Sequence, residues 1–286
     1  MANDLDNACV SFKCWAPRSA LLSRFAEVRD NKYVQTTDQR MRIEILGQRL
    51  LTGRLAIAQA AVVFAQRLFQ MTKEYADKKT CWAPKGLPQP KLSEIPHIAA
   101  IFAEGEAKLA AIEKYNFAVE KKLNQVLISR AVPDAEMVEC IAVAKIKSVA
   151  EAITLTNMLS REVGSYALMH AAGFGATHWL LMCAFAEGDG RVLSQKLARD
   201  SMKHFKQSSW AEAGKEAVFG SSAEQAELKA RFMLSRALAQ GASPADANRL
   251  WNENYLLVYE LAEAVCAKYI AKYAGEEARH AVFAKL

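Results

Sequence analysis

Histidines are scarce and scattered, five in 286 residues, and the six cysteines (Cys9, Cys14, Cys81, Cys140, Cys183 and Cys266) never fall in a Cys-x-x-Cys spacing. Both absences argue against a metal site and leave reduced, structural thiols as the default reading. Long apolar runs are missing too. The longest, Leu55 to Ala65, contains Gln59 and falls well short of the ~20 residues that cross a bilayer, so no membrane span is expected. The 37 basic and 31 acidic residues leave a net charge of +6, but the lysines are spread along the chain and not gathered with aromatics, which gives nucleic-acid binding little support. There is no internal repeat and no low-complexity segment. What remains, 52% hydrophobic and 24% charged residues, is the composition of a globular chain long enough to bury a full core.

β-patterning is confined to the start. Ala8 to Trp15 alternates like a strand and Pro17 closes it, but one strand needs a sheet that this chain does not supply. From Arg40 to Lys79 the positions Leu46, Leu50, Gly53, Ile57, Ala61, Phe64, Leu68, Met71 and Tyr75 recur at three and four, which predicts a long amphipathic helix. Pro84, Gly86, Pro88 and Pro90 break it. A second helix is expected from Ser93, with Pro96 in its first turn and Phe102, Leu109, Ile112, Val119, Leu123 and Val126 on one face. Pro133-Asp134 opens a third, carrying Val138, Ile141, Val149 and Ile153, and a fourth runs from Asp189 to about Phe205. Capping boxes at Ser221 and Ser243 predict two more, over 222–240 and 244–274. The expected fold is all-α: an antiparallel four-helix bundle with two C-terminal helices and a short extended N-terminal remnant. The expected division is 1–39 for the remnant and linker, 40–205 for the bundle and 206–286 for an additional helical segment.

Between the third and fourth helices lies a glycine-interrupted apolar stretch, Ala171 to Gly188, with one acid, Glu187, and Asp189 then begins the next helix. Apolar neighbours such as Trp179, Leu180 and Phe185 should raise its pKa toward the range of a general base, while the positive end of the following helix works the other way. Asp189 reads as the N-cap of that helix. Taken alone, Glu-Gly-Asp before a helix is usually just a cap.

The order of several motifs carries more. From residue 4 to about 205 the chain resembles the C-terminal part of the acyl-CoA dehydrogenase and acyl-CoA oxidase family. Leu5 to Phe12 and Ala16 to Phe25 look like the end of its middle β-domain and the link into its helices. Gly53 to Gln59, Ala65-Gln-Arg67 and Tyr75 to Trp82 are similar to its first bundle helix, and Ala144-Lys145 to a motif in the third. Ala172-Gly-Phe-Gly175 resembles its paired-glycine loop, and Phe185-Ala-Glu-Gly-Asp189 the segment with the catalytic glutamate.

The resemblance implies an FAD-dependent flavoprotein that introduces a 2,3-double bond into fatty acyl-CoA, with Glu187 as the catalytic base. Members that carry the base on the first helix place it where Gly53 stands here. Arg54 matches an arginine near the substrate. Lys79 and Trp82 match an arginine and an aromatic that touch the FAD of a neighbouring subunit, while Gly173, Gly175 and Asp189 fall at cofactor-contacting positions. Lys79 replaces an arginine, Ala172 a glycine, and Met169 a frequent glutamine. A whole member has a further helical domain and most of a β-domain ahead of this region, so independent catalysis is not expected. A non-catalytic assembly subunit of the same descent is the alternative. The resemblance further implies a homo-oligomer or a subunit of a larger complex. The tripeptide Ala284-Lys-Leu286 resembles a peroxisomal address and tilts the choice toward an oxidase, with mitochondria as the alternative compartment.

Overall fold

The computed structural model describes residues 9–21, 23, 26–35, 39–129, 131–207, 209–241 and 243–284. Cys9 to Pro17 takes no regular structure and lies exposed, so the strand expected over Ala8 to Trp15 is not formed; Ala8 itself lies outside the described residues. The reason is pairing: no described strand lies beside it to satisfy its backbone groups. The β-structure described is instead a hairpin that the alternation did not announce, β1 (Ala26–Arg29) antiparallel to β2 (Lys32–Gln35). Its two-residue turn, Asp30-Asn31, has φ of +49° and +60°, a pair of values that favours Asn and Asp.

Helices dominate the rest. α1 (Gln39–Ala76) and α2 (Pro96–Ile128) are joined by a proline-rich link whose Thr80 and Lys91 pair as an isolated bridge, and Pro96 sits in the first turn of α2 as expected. α3 (Ala135–Glu162) starts at Asp134, whose side chain accepts from the Met137 amide at 2.7 Å. Along α1 and α2, Gln59 meets Glu120 (2.7 Å), Gln66 meets Glu113 (3.1 Å) and Lys73 meets Glu106 (3.2 Å). Numbers rising by seven on one helix and falling by seven on the other describe an antiparallel pair with a coiled-coil repeat.

The core stripe of α1 differs from the expected one. Leu51, Leu55, Ala58, Val62, Ala65, Phe69, Thr72 and Ala76 are buried, in alternating steps of four and three. The stripe read from the sequence keeps Ala61 and Leu68 in the core, leaves Gly53, Ile57, Phe64, Met71 and Tyr75 half-buried, and leaves Leu50 exposed; the side chain of Leu46 lies outside the described set. The two stripes are neighbours on one cylinder: one packs into the bundle, the other faces the glycine-containing segment. Where α1 meets α2, Gly105 stands against the Phe69 ring, and a Cβ there would come within 2.6 Å of Phe69 Cζ. Gly105→Ala should therefore destabilise the protein by about 1–3 kcal/mol by overpacking, despite a gain of about 1 kcal/mol in helix propensity. Urea unfolding measures it, and an unchanged midpoint would contradict the packing described.

α3 is buried on every side from Glu139 to Val149, so its middle is not amphipathic in the way the periodicity suggested. It touches α1, α2, the short helix α4 (His178–Phe185) and α5 (Gly190–Gln207). The C-terminal region holds more helices than the two expected: α6 (Trp210–Phe219), α7 (Ser222–Leu238), α8 (Pro244–Glu253), α9 (Tyr255–Ala274) and α10 (Glu276–Phe283). The span expected as one helix over 244–274 breaks at Asn254, whose φ of −96° and ψ of 31° depart from α-helical values.

α9 closes against the earlier helices. It packs on α2, α3 and α5, antiparallel to α3, through Glu136–Lys272 (2.8 Å), Glu139–Tyr269 and Lys147–Glu263 (3.1 Å). Lys285 and Leu286 lie outside the described residues, so the structure says nothing of the terminal tripeptide beyond Ala284. No described helix is long and apolar enough to cross a membrane.

Candidate functional site

The segment from Gly164 to Gly188 runs back along α1 on its half-buried stripe. Tyr166 stacks on Tyr75 with ring centroids 3.9 Å apart, Gly173 sits over Leu68, Trp179 meets Phe64 at 5.8 Å, and Glu187 reaches Gly53. Short 3-10 turns carry the chain to Gly173, whose φ of +84° suits glycine, and then into α4.

Glu187 itself is left-handed, with φ +57°, and Gly188 follows at +108°. For a residue with a Cβ that conformation costs about 1–2 kcal/mol, so neighbouring contacts must hold it. Two cations do so from different helices. Arg54 Nε on α1 donates to the Glu187 carbonyl at 2.7 Å. Lys145 Nζ on α3 donates to the Ala184 carbonyl at 2.7 Å and also to that of Gly188. Burial pulls the Arg54 guanidinium below its ordinary pKa, and the Glu187 carboxylate pulls it the other way. Burial likewise lowers the Lys145 ammonium, opposed chiefly by Asp189.

The Glu187 carboxyl group lies directly on the backbone of Gly53. A Cβ there would meet Glu187 Cδ at 2.7 Å, so a side chain at position 53 and this carboxylate exclude each other. Its Oε2 is buried and has no hydrogen-bond partner among the described residues. The segment before Glu187 lines a trough of about 1290 Å³, from Ala167 to Ala186, with Phe174, Trp179, Met182 and Phe185 in its wall; Glu187 follows the last of these residues and is not itself in the wall. Leu168 and Phe185 on its rim are 89% and 68% exposed.

The structure thus brings together Glu187, Gly53, Arg54 and Asp189. Asp189 caps α5 as expected, its Oδ1 accepting from the amides of Arg191 (2.7 Å) and Val192 (3.2 Å). Gly173 and Gly175 line the trough, and a Cβ on Gly175 would touch nothing. Lys79 and Trp82 do not join this group. They stand exposed past the far end of α1, about 35 Å from Gly53 at the rise of an α-helix. Lys145 was matched as part of a motif without a role; its signal was a cation inside an apolar helical run. Among the described residues no three histidine, cysteine or acidic side chains are grouped to hold a metal ion.

In sequence the chain matches no protein-family profile and no curated protein. In structure it resembles an acyl-CoA oxidase from tomato (Lycopersicon esculentum), with a TM-score of 0.73 at 16% identity over 90% of this chain and 44% of that one. It is similarly like Caenorhabditis elegans acyl-CoA oxidase-2 bound with FAD, ascaroside-CoA and ATP (TM-score 0.73, 14% identity, 90% and 42% covered). Arabidopsis thaliana acyl-CoA oxidase 1 gives a TM-score of 0.69 at 15% identity, with 90% and 43% covered. The chain spans less than half the length of these structures, and its fold is that of a helical part of the acyl-CoA oxidases.

Proposed function

We propose that this chain is the helical part of an FAD-dependent acyl-CoA oxidase or dehydrogenase and that Glu187 takes the α-proton of a fatty acyl thioester. One observation carries the reading: the buried Glu187 Oε2 has no donor among the described residues, and Glu187 directly follows Ala186 in the wall of an apolar trough. Burying such an oxygen unpaired costs about 1–3 kcal/mol, and a C–H acid delivered to it is a reason to keep it free.

Bound FAD would supply the acceptor for the hydride leaving the β-carbon. The residues fit it in part. Room against the main chain at Gly175 and the apolar rim suit a flat ring system, and Gly173 follows in the same wall. Arg54 is the proposed substrate-side cation, although its Nε is engaged with the Glu187 carbonyl. Lys79 and Trp82 are too far from Glu187 to serve the same copy of the site, so their proposed contact with FAD goes with a homo-oligomer in which each copy completes its neighbour.

Protein purified in its native assembly should be yellow and be bleached by a fatty acyl-CoA, and a fluorescently tagged chain should follow a peroxisomal marker. Colourless protein that FAD cannot reconstitute would count against the enzymatic reading. The exposed rim residues Leu168, Met169 and Phe185 favour a second reading, a non-catalytic subunit that docks through the trough. Colourless protein that stays tightly bound to other subunits would select it.

A further inference from the structure

Lys145 and Lys147 sit one turn-half apart on α3, and both are buried, at 1% and 6% exposure. They solve the cost of burial differently. Lys147 pairs with Glu151 at 3.0 Å and Glu263 at 3.1 Å. Among the described residues Lys145 has no ion-pair partner; its hydrogen bonds go to the carbonyls of Ala184 and Gly188, which bracket Glu187.

A buried ammonium with no carboxylate at ion-pair distance is costly, and an apolar side chain would fill the same space more cheaply. The bonds it makes close the turn in which Glu187 and Gly188 have φ of +57° and +108°. Arg54 holds the Glu187 carbonyl between them, so three consecutive anchor points along the turn are fixed from two helices. The turn in turn sets where the carboxyl group lies, against a Gly53 that leaves it no slack on that side.

We infer that Lys145 is a positioning residue, which holds the Glu187 turn from behind so that the carboxylate stays pressed on Gly53. This rests on the reading of Glu187 as the base, but the geometric claim can be tested without any turnover.

The test is carboxyl-carbon NMR on protein labelled at its glutamates, with Glu187→Gln identifying the Glu187 signal and the buried Glu139 and Glu227 serving as internal references. In Lys145→Met the Glu187 signal should shift to the position of exposed glutamates while the two references stay in place. Lys145→Gln, which keeps one donor, should give a smaller shift of the same sign and serves if the Met variant does not fold. An unmoved Glu187 signal in a folded variant overturns the inference. So does a common movement of all three signals, which would make Lys145 a general stabiliser. If the shift appears but native protein never carries flavin, the positioning stands and only the oxidoreductase reading is lost.

Discussion

Glu187→Gln should slow the bleaching of bound flavin by an acyl-CoA at least about 100-fold, and up to about 10,000-fold, without lowering the flavin content. Gln matches the carboxyl group in size, so it can lie on Gly53 in the same turn, where a Cβ would come within 2.7 Å of the side chain. What it removes is the capacity to accept a proton. The range is that expected for the loss of one general base, since α-proton removal would then fall to water or to nothing. The other carboxylate in the group described around Gly53, Asp189, is held at the start of α5, its Oδ1 accepting from the amides of Arg191 and Val192. Stopped-flow absorbance on wild-type and variant assemblies decides it. Equal bleaching rates would remove Glu187 from the chemistry and leave it as part of a helix-entry turn.

The largest effect on stability should come from a buried ion cluster centred on α7. Glu227 on α7 is fully buried, with 0% exposure, and joins four elements. It pairs with Arg231 one turn on, with Lys268 on α9 at 2.7 Å, and accepts from Ser201 on α5 at 2.7 Å, while Glu216 on α6 reaches Arg231 at 3.4 Å. Glu227→Ala leaves two cations without their central partner, and breaking a buried cluster in this way should cost about 3–5 kcal/mol. Urea unfolding would show the loss, and a change under 1 kcal/mol would mean that the cluster is solvated in solution.

The same cluster fixes a pH dependence. Burial disfavours the charged form of Glu227, but Lys268 and Arg231 outweigh it and hold its carboxyl below the ordinary value of 4.5. A folded-state pKa lowered in this way gives stability that is fully present above 4.5 and lost as pH falls through the folded value. Glu136, held at about 2 by Lys272 and Tyr273, has the same sign on the α3–α9 seam. Burial raises Glu216, which opposes the trend. Unfolding free energy should therefore fall between pH 5 and 3 more steeply in the wild type than in Glu227→Gln.

Local chemistry decided much of this protein before any folding. Asp134, Pro96, Ser221 and Ser243 mark helix starts because a side-chain oxygen or a ring satisfies the first turn whatever lies around it. The three-and-four spacing on α1 and α2 required helices, and Glu187 was singled out as the lone acid in an apolar stretch. Tertiary structure decided the rest. Which of two adjacent stripes on α1 faces the core depends on what α2 and α3 present to it, and the apolar pattern around the helix permits either. Cys9 to Trp15 has the alternation of a strand but no neighbour to pair with among the described residues, and strands, unlike helices, take their hydrogen bonds from elsewhere in the chain. For the same reason no pattern could say that Lys145 would close the Glu187 turn or that Gly53 would leave the carboxylate its place. Those contacts join residues 39 and more positions apart, and only packing brings such residues within reach.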